Sequence, residues 1–135
     1  MMGPQPGEKL PILERRLDLV DLVIYGGATW DWYRWHYDAA AAAAAKLPAP
    51  LVDGQMLGAL LARQALTWAG PRARIQRMQF RFKSMVFAGD TIRCESEVTS
   101  VARAADGFVV SLAQRVLVGE RVAIESATLD LLTPL

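Results

Sequence analysis

The sequence holds one cysteine, Cys94, in 135 residues. That excludes an internal disulfide and a cysteine-built zinc site within one chain, and it suits a reducing compartment. Charge of one sign is not in excess either. Fifteen Lys and Arg stand against fourteen Asp and Glu, a net charge of +1, which gives no global field for nucleic acid and no polybasic arm for an anionic membrane. Long apolar runs are absent. The most apolar low-complexity stretch is the seven alanines Ala39 to Ala45, whereas spanning hydrocarbon takes about 20 residues. The stretch from Met1 to Pro11 carries Pro4, Pro6, Glu8 and Lys9 where an export signal needs an unbroken apolar segment. These absences give the expectation of a cytoplasmic protein. What is present, 53% apolar and 21% charged residues, is the composition of an ordinary globular core, and residues 1–135 read as one domain with residues 1–20 as a lead-in.

Along the chain, Glu8 to Leu22 mixes Leu, Arg and Asp without a clean period and reads as an extended lead-in or a short strand. From Val23 to Tyr37, Gly26 and Gly27 break any strand and aromatic residues crowd a short irregular or helical segment. Asp38 is a natural N-cap for a helix from Ala39 to about Lys46, which Pro48 ends. The next segment, Gln55 to Trp68, is apolar over most of its circumference. Only Arg63, Gln64 and Thr67 form a polar stripe, so something must wrap this helix. The wrapper follows in sequence. Residues Ile75 to Met85 alternate, with Met78, Phe80 and Phe82 on one face and Arg77, Arg81 and Lys83 on the other. Strand-like runs at Thr91 to Val101, Phe108 to Val118 and Val122 to Leu132 are separated by Ala105-Asp106-Gly107 and Gly119-Glu120, which reads as an antiparallel meander. The fold class is α+β, an antiparallel sheet wrapped around one long apolar central helix.

The one histidine, His36, lies five residues after Asp31. An imidazole and a carboxylate that converge on one water can exchange protons near neutral pH, which is what adding or removing water requires. The plainer alternative is a satisfied structural histidine beside an Asp that caps a turn. The dense aromatics Trp30, Trp32, Tyr33, Trp35 and Tyr37 could line a large apolar tunnel or fill core. No Gly-rich phosphate loop, metal-ligand cluster or serine nucleophile motif competes with the pair.

Asp31-x4-His36-x-Asp38, followed by Leu51-Val52-Asp53-Gly54-Gln55-Met56-Leu57, resembles the MaoC-type dehydratases and (R)-specific enoyl-CoA hydratases. Phe80-Arg81-Phe82-Lys83 and Phe87-Ala88-Gly89-Asp90-Thr91 are similar to the mesaconyl-CoA hydratase branch of that superfamily. The resemblance covers roughly residues 20 to 100. It implies the hot-dog fold and a hydratase or dehydratase acting on a 2-enoyl or 3-hydroxyacyl thioester, with coenzyme A as part of the substrate and no further cofactor or metal. Asp31 and His36 would be the acid/base pair. Gly54 would open the central helix and offer its N–H to the thioester oxygen, its missing side chain letting the carbonyl approach. The resemblance also implies a homodimer with the site between chains, or a heterodimer with a second hot-dog chain. Two positions depart from the family pattern. Asp53 stands where a His is common, and Tyr33 where an Asn is common, which leaves the substrate class open.

Between Asp53 and Asp90 the chain has no acidic residue, while Arg63, Arg72, Arg74, Arg77, Arg81 and Lys83 supply six positive charges. Such segregation suits the phosphates of coenzyme A, with Arg72, Arg74, Arg77, Arg81 and Lys83 as candidates alongside Asp53 in the substrate site. The alternative is a solvated face paired with Glu95 and Glu97 on the next strand. Two further functions stay open: a hot-dog thioesterase using Asp53, and a subunit of a heteromeric hydratase. A degenerate subunit of that kind would be expected to have lost Asp31 or His36.

Overall fold

The computed structural model describes residues 3–134, so Met1, Met2 and Leu135 of the expected 1–135 span lie outside the described residues. A short strand, β1 (Leu13–Arg16), leads into a helix, α1 (Leu19–Thr29), then a 3-10 turn over Arg34–His36 and a second helix, α2 (Ala39–Ala44). The long helix α3 (Gly54–Ala69) follows, and after it the strands β2 (Arg74–Phe82), β3 (Thr91–Ala104), β4 (Gly107–Val118) and β5 (Arg121–Pro134). All strand pairs are antiparallel. The sheet wraps α3, the α+β hot-dog arrangement.

The short strand expected within Glu8 to Leu22 is β1, but the end of that segment is helical and opens α1. Its first turn closes with a reciprocal capping box, in which the Asp18 carboxylate accepts from the Asp21 N–H and the Asp21 carboxylate accepts from the Asp18 N–H. Two otherwise unpaired backbone donors are satisfied in this way. At α2, Asp38 accepts from the N–H groups of Ala40 and Ala41. That helix stops at Ala44, before Lys46, which sits in the left-handed region at φ 61°.

The meander expectation fails at β2. The strand order is β1-β3-β4-β5-β2, so the strand that leaves α3 pairs with the last strand, Arg74 opposite Leu132 and Phe82 opposite Ile124. The helix carries the chain across the inner face of the sheet, and the chain re-enters on the far side of β5. Alternation identifies a strand and its buried face but carries no information about its neighbour.

On α3, Leu57 and Leu61 are fully buried in one cluster with Ile92, Val116 and Ile124, and Ala65 lies in a second with Val98, Leu112 and Leu129. The expected polar stripe is corrected at Gln64, which is buried. Its amide donates to the carbonyls of Pro11 and Cys94 at 2.8 and 2.9 Å and accepts from the Ser96 hydroxyl at 2.7 Å. A polar side chain with its hydrogen bonds met can be buried at little cost. Leu66 takes its place on the exposed side. Burial pushes the Cys94 thiol up to about 12, so this cysteine packs as a small apolar group and offers almost no thiolate.

Candidate active site

Three segments converge at the N-terminus of α3. The first is the end of α1, where Trp30 adopts a left-handed conformation at φ 59° and the Asp31 N–H donates back to the Gly26 carbonyl at 3.0 Å. The Asp31 carboxylate accepts from the Tyr33 N–H at 3.1 Å, so it does cap a turn, and it retains further acceptor positions. The second is the 3-10 turn. The Leu51 N–H donates to the Trp35 carbonyl at 2.8 Å, while the His36 Nδ1 lies 2.7 Å from the Leu51 carbonyl. A carbonyl can only accept, so Nδ1 carries a proton, and in the neutral imidazole the lone pair is on Nε2. The third is Asp53, the N-cap of α3, whose carboxylate accepts from the Gln55 N–H at 2.8 Å.

Asp31, His36 and Asp53 each place one polar atom within 4.8 Å of the other two. All three are half-buried in a narrow recess walled by Leu22, Tyr25, Gly26 and Met56. One atom from each could reach a metal ion. Both carboxylates, however, already accept backbone N–H groups, and Asp53 sits at the positive end of α3, a field that opposes a cation. The set suits proton transfer better, with a free imidazole nitrogen beside two carboxylates and a helix terminus that favours negative charge. Asp38, third in the sequence motif, is not part of this group. Arg34 and the Ala41 N–H hold its carboxyl below the usual carboxylate range, and it serves as a cap.

The Gly54 N–H has no acceptor among the described residues, because Asp53 takes the amides of Gln55 and Met56 with its side chain and carbonyl. The expectation of an open approach over Gly54 needs correction. A Cβ on Gly54 would lie 2.4 Å from the Phe82 ring, and one on Gly58 would lie 2.5 Å from the Phe80 ring. The two glycines are notches one turn apart into which two rings pack, 5.4 Å from each other. Gly54 also shares with Leu51, Val52, Leu57, Phe82 and Met85 an apolar cavity of about 360 Å³.

The basic candidates lie outside the recess. Arg72, Arg74, Arg77, Arg81 and Lys83 are exposed, and Arg63 is exposed on α3. The expected pairing with Glu95 and Glu97 is corrected by the strand order. Glu95 binds Arg93 and Arg115, whereas Lys83 pairs with Glu125 of β5 at 3.2 Å. Lys83 is the charged residue lining the apolar cavity. Of the aromatic cluster, Trp30 is 81% exposed and Trp32 and Tyr33 are also exposed, while Trp35 and Tyr37 are half-buried, so the first three do not fill core. Trp32 packs edge-on against Trp30 and Tyr37, and Tyr33 packs edge-on against His36. The sequence reading passed over Tyr25. It carried no distinguishing signal among so many aromatics, and only the position of α1 brings it to the recess.

The family model described as a MaoC like domain matches residues 2–120. No curated protein matches the chain. Among solved structures, a chain of the ChsH1-ChsH2 complex from Mycobacterium tuberculosis is 26% identical, with a TM-score of 0.87 over 96% of this chain and 98% of that one. The (R)-hydratase from A. caviae involved in PHA biosynthesis is 24% identical, with a TM-score of 0.88 over 99% of this chain and 100% of that one. R-hydratase PhaJ1 from Pseudomonas aeruginosa is 23% identical, with a TM-score of 0.85 over 96% and 82%.

Proposed function

The chain belongs to the MaoC-like domain family, and from that premise we propose that it hydrates a 2-enoyl thioester, or dehydrates the 3-hydroxyacyl thioester, with Asp31 and His36 as the acid/base pair and coenzyme A as the thiol. The observation that carries this reading is the imidazole of His36, turned by its Nδ1–H···O=C bond to Leu51 so that Nε2 is a free base, beside the Asp31 and Asp53 carboxylates.

The reaction then runs in two proton transfers. Water, oriented by Asp31, attacks the β-carbon while one of its protons passes to His36 Nε2. The carbon–carbon π pair moves onto the thioester as an enolate, whose oxygen is met by the Gly54 N–H at the positive end of α3. The proton held by His36 is then delivered to the α-carbon, directly or through Asp31, and the side chains return to their starting state. Both groups act from one side of the substrate, so addition is syn. By likeness to (R)-hydratases, the product is the (R)-3-hydroxyacyl thioester. The largely apolar cavity next to Gly54 gives the acyl thioester an apolar flank to lie against.

The free edge of β2 and the exposed apolar side chains of α1, Val20, Val23 and Ile24, fit a working unit of two chains. They are a homodimer, or a pair with a second hot-dog chain.

The test of the substrate class is loss of absorbance across a panel of 2-enoyl-CoA thioesters, from crotonyl to bulky ring-bearing ones. No change with any of them, from a folded protein, overturns the reading. The phosphate contacts are tested by removing the charge of Arg72, Arg74, Arg77, Arg81 or Lys83 in turn. At least one variant should raise KM for the CoA ester more than for a pantetheine thioester that lacks the nucleotide. Equal effects on both substrates from all five place the thiol's phosphates elsewhere.

A further inference from the structure

Tyr25 has no part in the scheme above, yet it forms a wall of the recess that holds Asp31, His36 and Asp53. Its ring packs against the core cluster through α1. Its position is tied to that of Asp31, because the next residue, Gly26, accepts the Asp31 N–H. The phenol makes no hydrogen bond to a described side chain or backbone group, and its oxygen is not among the sealed-off, unpartnered polar atoms. Tyr25 lines the recess, close enough to Asp53 and Asp31 for their charges to act on its phenol. Burial, then the charges of Asp53 and Asp31, push its ionisation above the usual tyrosine range, so the hydroxyl remains a donor throughout the neutral range.

The chemistry of the recess creates a need for such a donor. Asp31, Asp53 and the Nε2 of His36 all present lone pairs, and a water that reaches them can donate to two of the three with its two hydrogens. The oxygen of that water has two lone pairs of its own. One must point at the β-carbon, and the other is left for a donor. We propose that Tyr25 is a further catalytic residue of this reaction, its phenol donating a hydrogen bond to the oxygen that is added to, or leaves from, the β-carbon. With three contacts the water cannot turn its attacking lone pair away. In dehydration the same bond steadies the departing hydroxyl. The phenol keeps its proton in both directions, so the balance of the reaction is unchanged.

This rests on the hydratase reading, and the experiment separates the two. Tyr25→Phe removes one oxygen and leaves the ring that packs. In an assay of hydration and of the reverse dehydration, kcat should fall by about tenfold, the worth of one hydrogen bond. The factor should be the same in both directions, with KM within about twofold of wild type and an unchanged melting temperature. Wild-type kcat in Tyr25→Phe overturns the inference, as does a fall in kcat matched by a fall in melting temperature, which marks Tyr25 as packing only. Asp31→Asn is measured alongside. If it loses activity and Tyr25→Phe does not, the inference alone fails. If Asp31→Asn turns over like wild type, the acid/base assignment fails, and if the wild-type protein hydrates none of the thioesters the hydratase reading fails; either outcome takes the inference with it.

Discussion

Asp31→Asn and His36→Ala are each expected to lower kcat for hydration by about 10²- to 10⁴-fold, the usual contribution of a positioned acid or base. That corresponds to about 2.7–5.5 kcal/mol of transition-state stabilisation. Asparagine retains the oxygen that accepts the Tyr33 N–H, so the turn after α1 should persist and the loss should fall on kcat with KM little changed. His36→Ala removes the one side-chain bond to the Leu51 carbonyl, but the Leu51 N–H still binds the Trp35 carbonyl, and the turn keeps its anchor. Steady-state kinetics on a thioester that the wild-type protein hydrates decides the matter. If both variants kept wild-type turnover, the pair would be structural. Hydrolysis of an acyl thioester, with Asp53 as its carboxylate, would then be the reaction to measure.

Leu61→Ala is expected to destabilise the protein by about 2–5 kcal/mol, the range for a buried leucine whose cavity cannot collapse. Leu61 has no solvent exposure and sits on α3 facing the sheet, in a cluster with Leu57, Ile92 and Ile124. Leu66→Ala on the same helix supplies the contrast, since Leu66 is 36% exposed and its change should stay within about 0.5 kcal/mol. Chemical denaturation of the two variants measures the difference. Equal, small effects would mean that the sheet does not enclose α3.

Sequence and structure agree where one physical signal dominates. Helix α3 was legible because an apolar circumference must be buried, and the strands because alternation marks a two-faced ribbon. Helix α1 was not legible because its exposed side carries Leu19, Val20, Val23 and Ile24, so the contrast between faces that reveals an amphipathic helix is missing. The spacing of Asp18 and Asp21, which form its capping box, was the available signal. Gln64 was misplaced because a single polar residue on an apolar helix looks solvent-facing unless its partners are known, and those partners, Pro11, Cys94 and Ser96, are far away in sequence. For the candidate site, the spacing of Asp31 and His36 raised the idea of a pair. That Asp53 joins them and that Tyr25 closes the recess depends on how α1 and α3 meet, which residue spacing does not encode.

The placement of β2 beside β5 also governs the order in which the chain can assemble. As residues emerge from the ribosome, β3, β4 and β5 can zip up as successive hairpins, each closing a short loop. Strand β2, made earlier, has no partner until the last of these strands is out. Until then α3 keeps part of its apolar circumference wet, and the notches at Gly54 and Gly58 wait for rings carried by an unpaired strand. The packing around the Gly54 terminus of α3 is thus completed late, by pairings such as Arg74 with Leu132 and Phe82 with Ile124 that are distant in sequence and so slow to form.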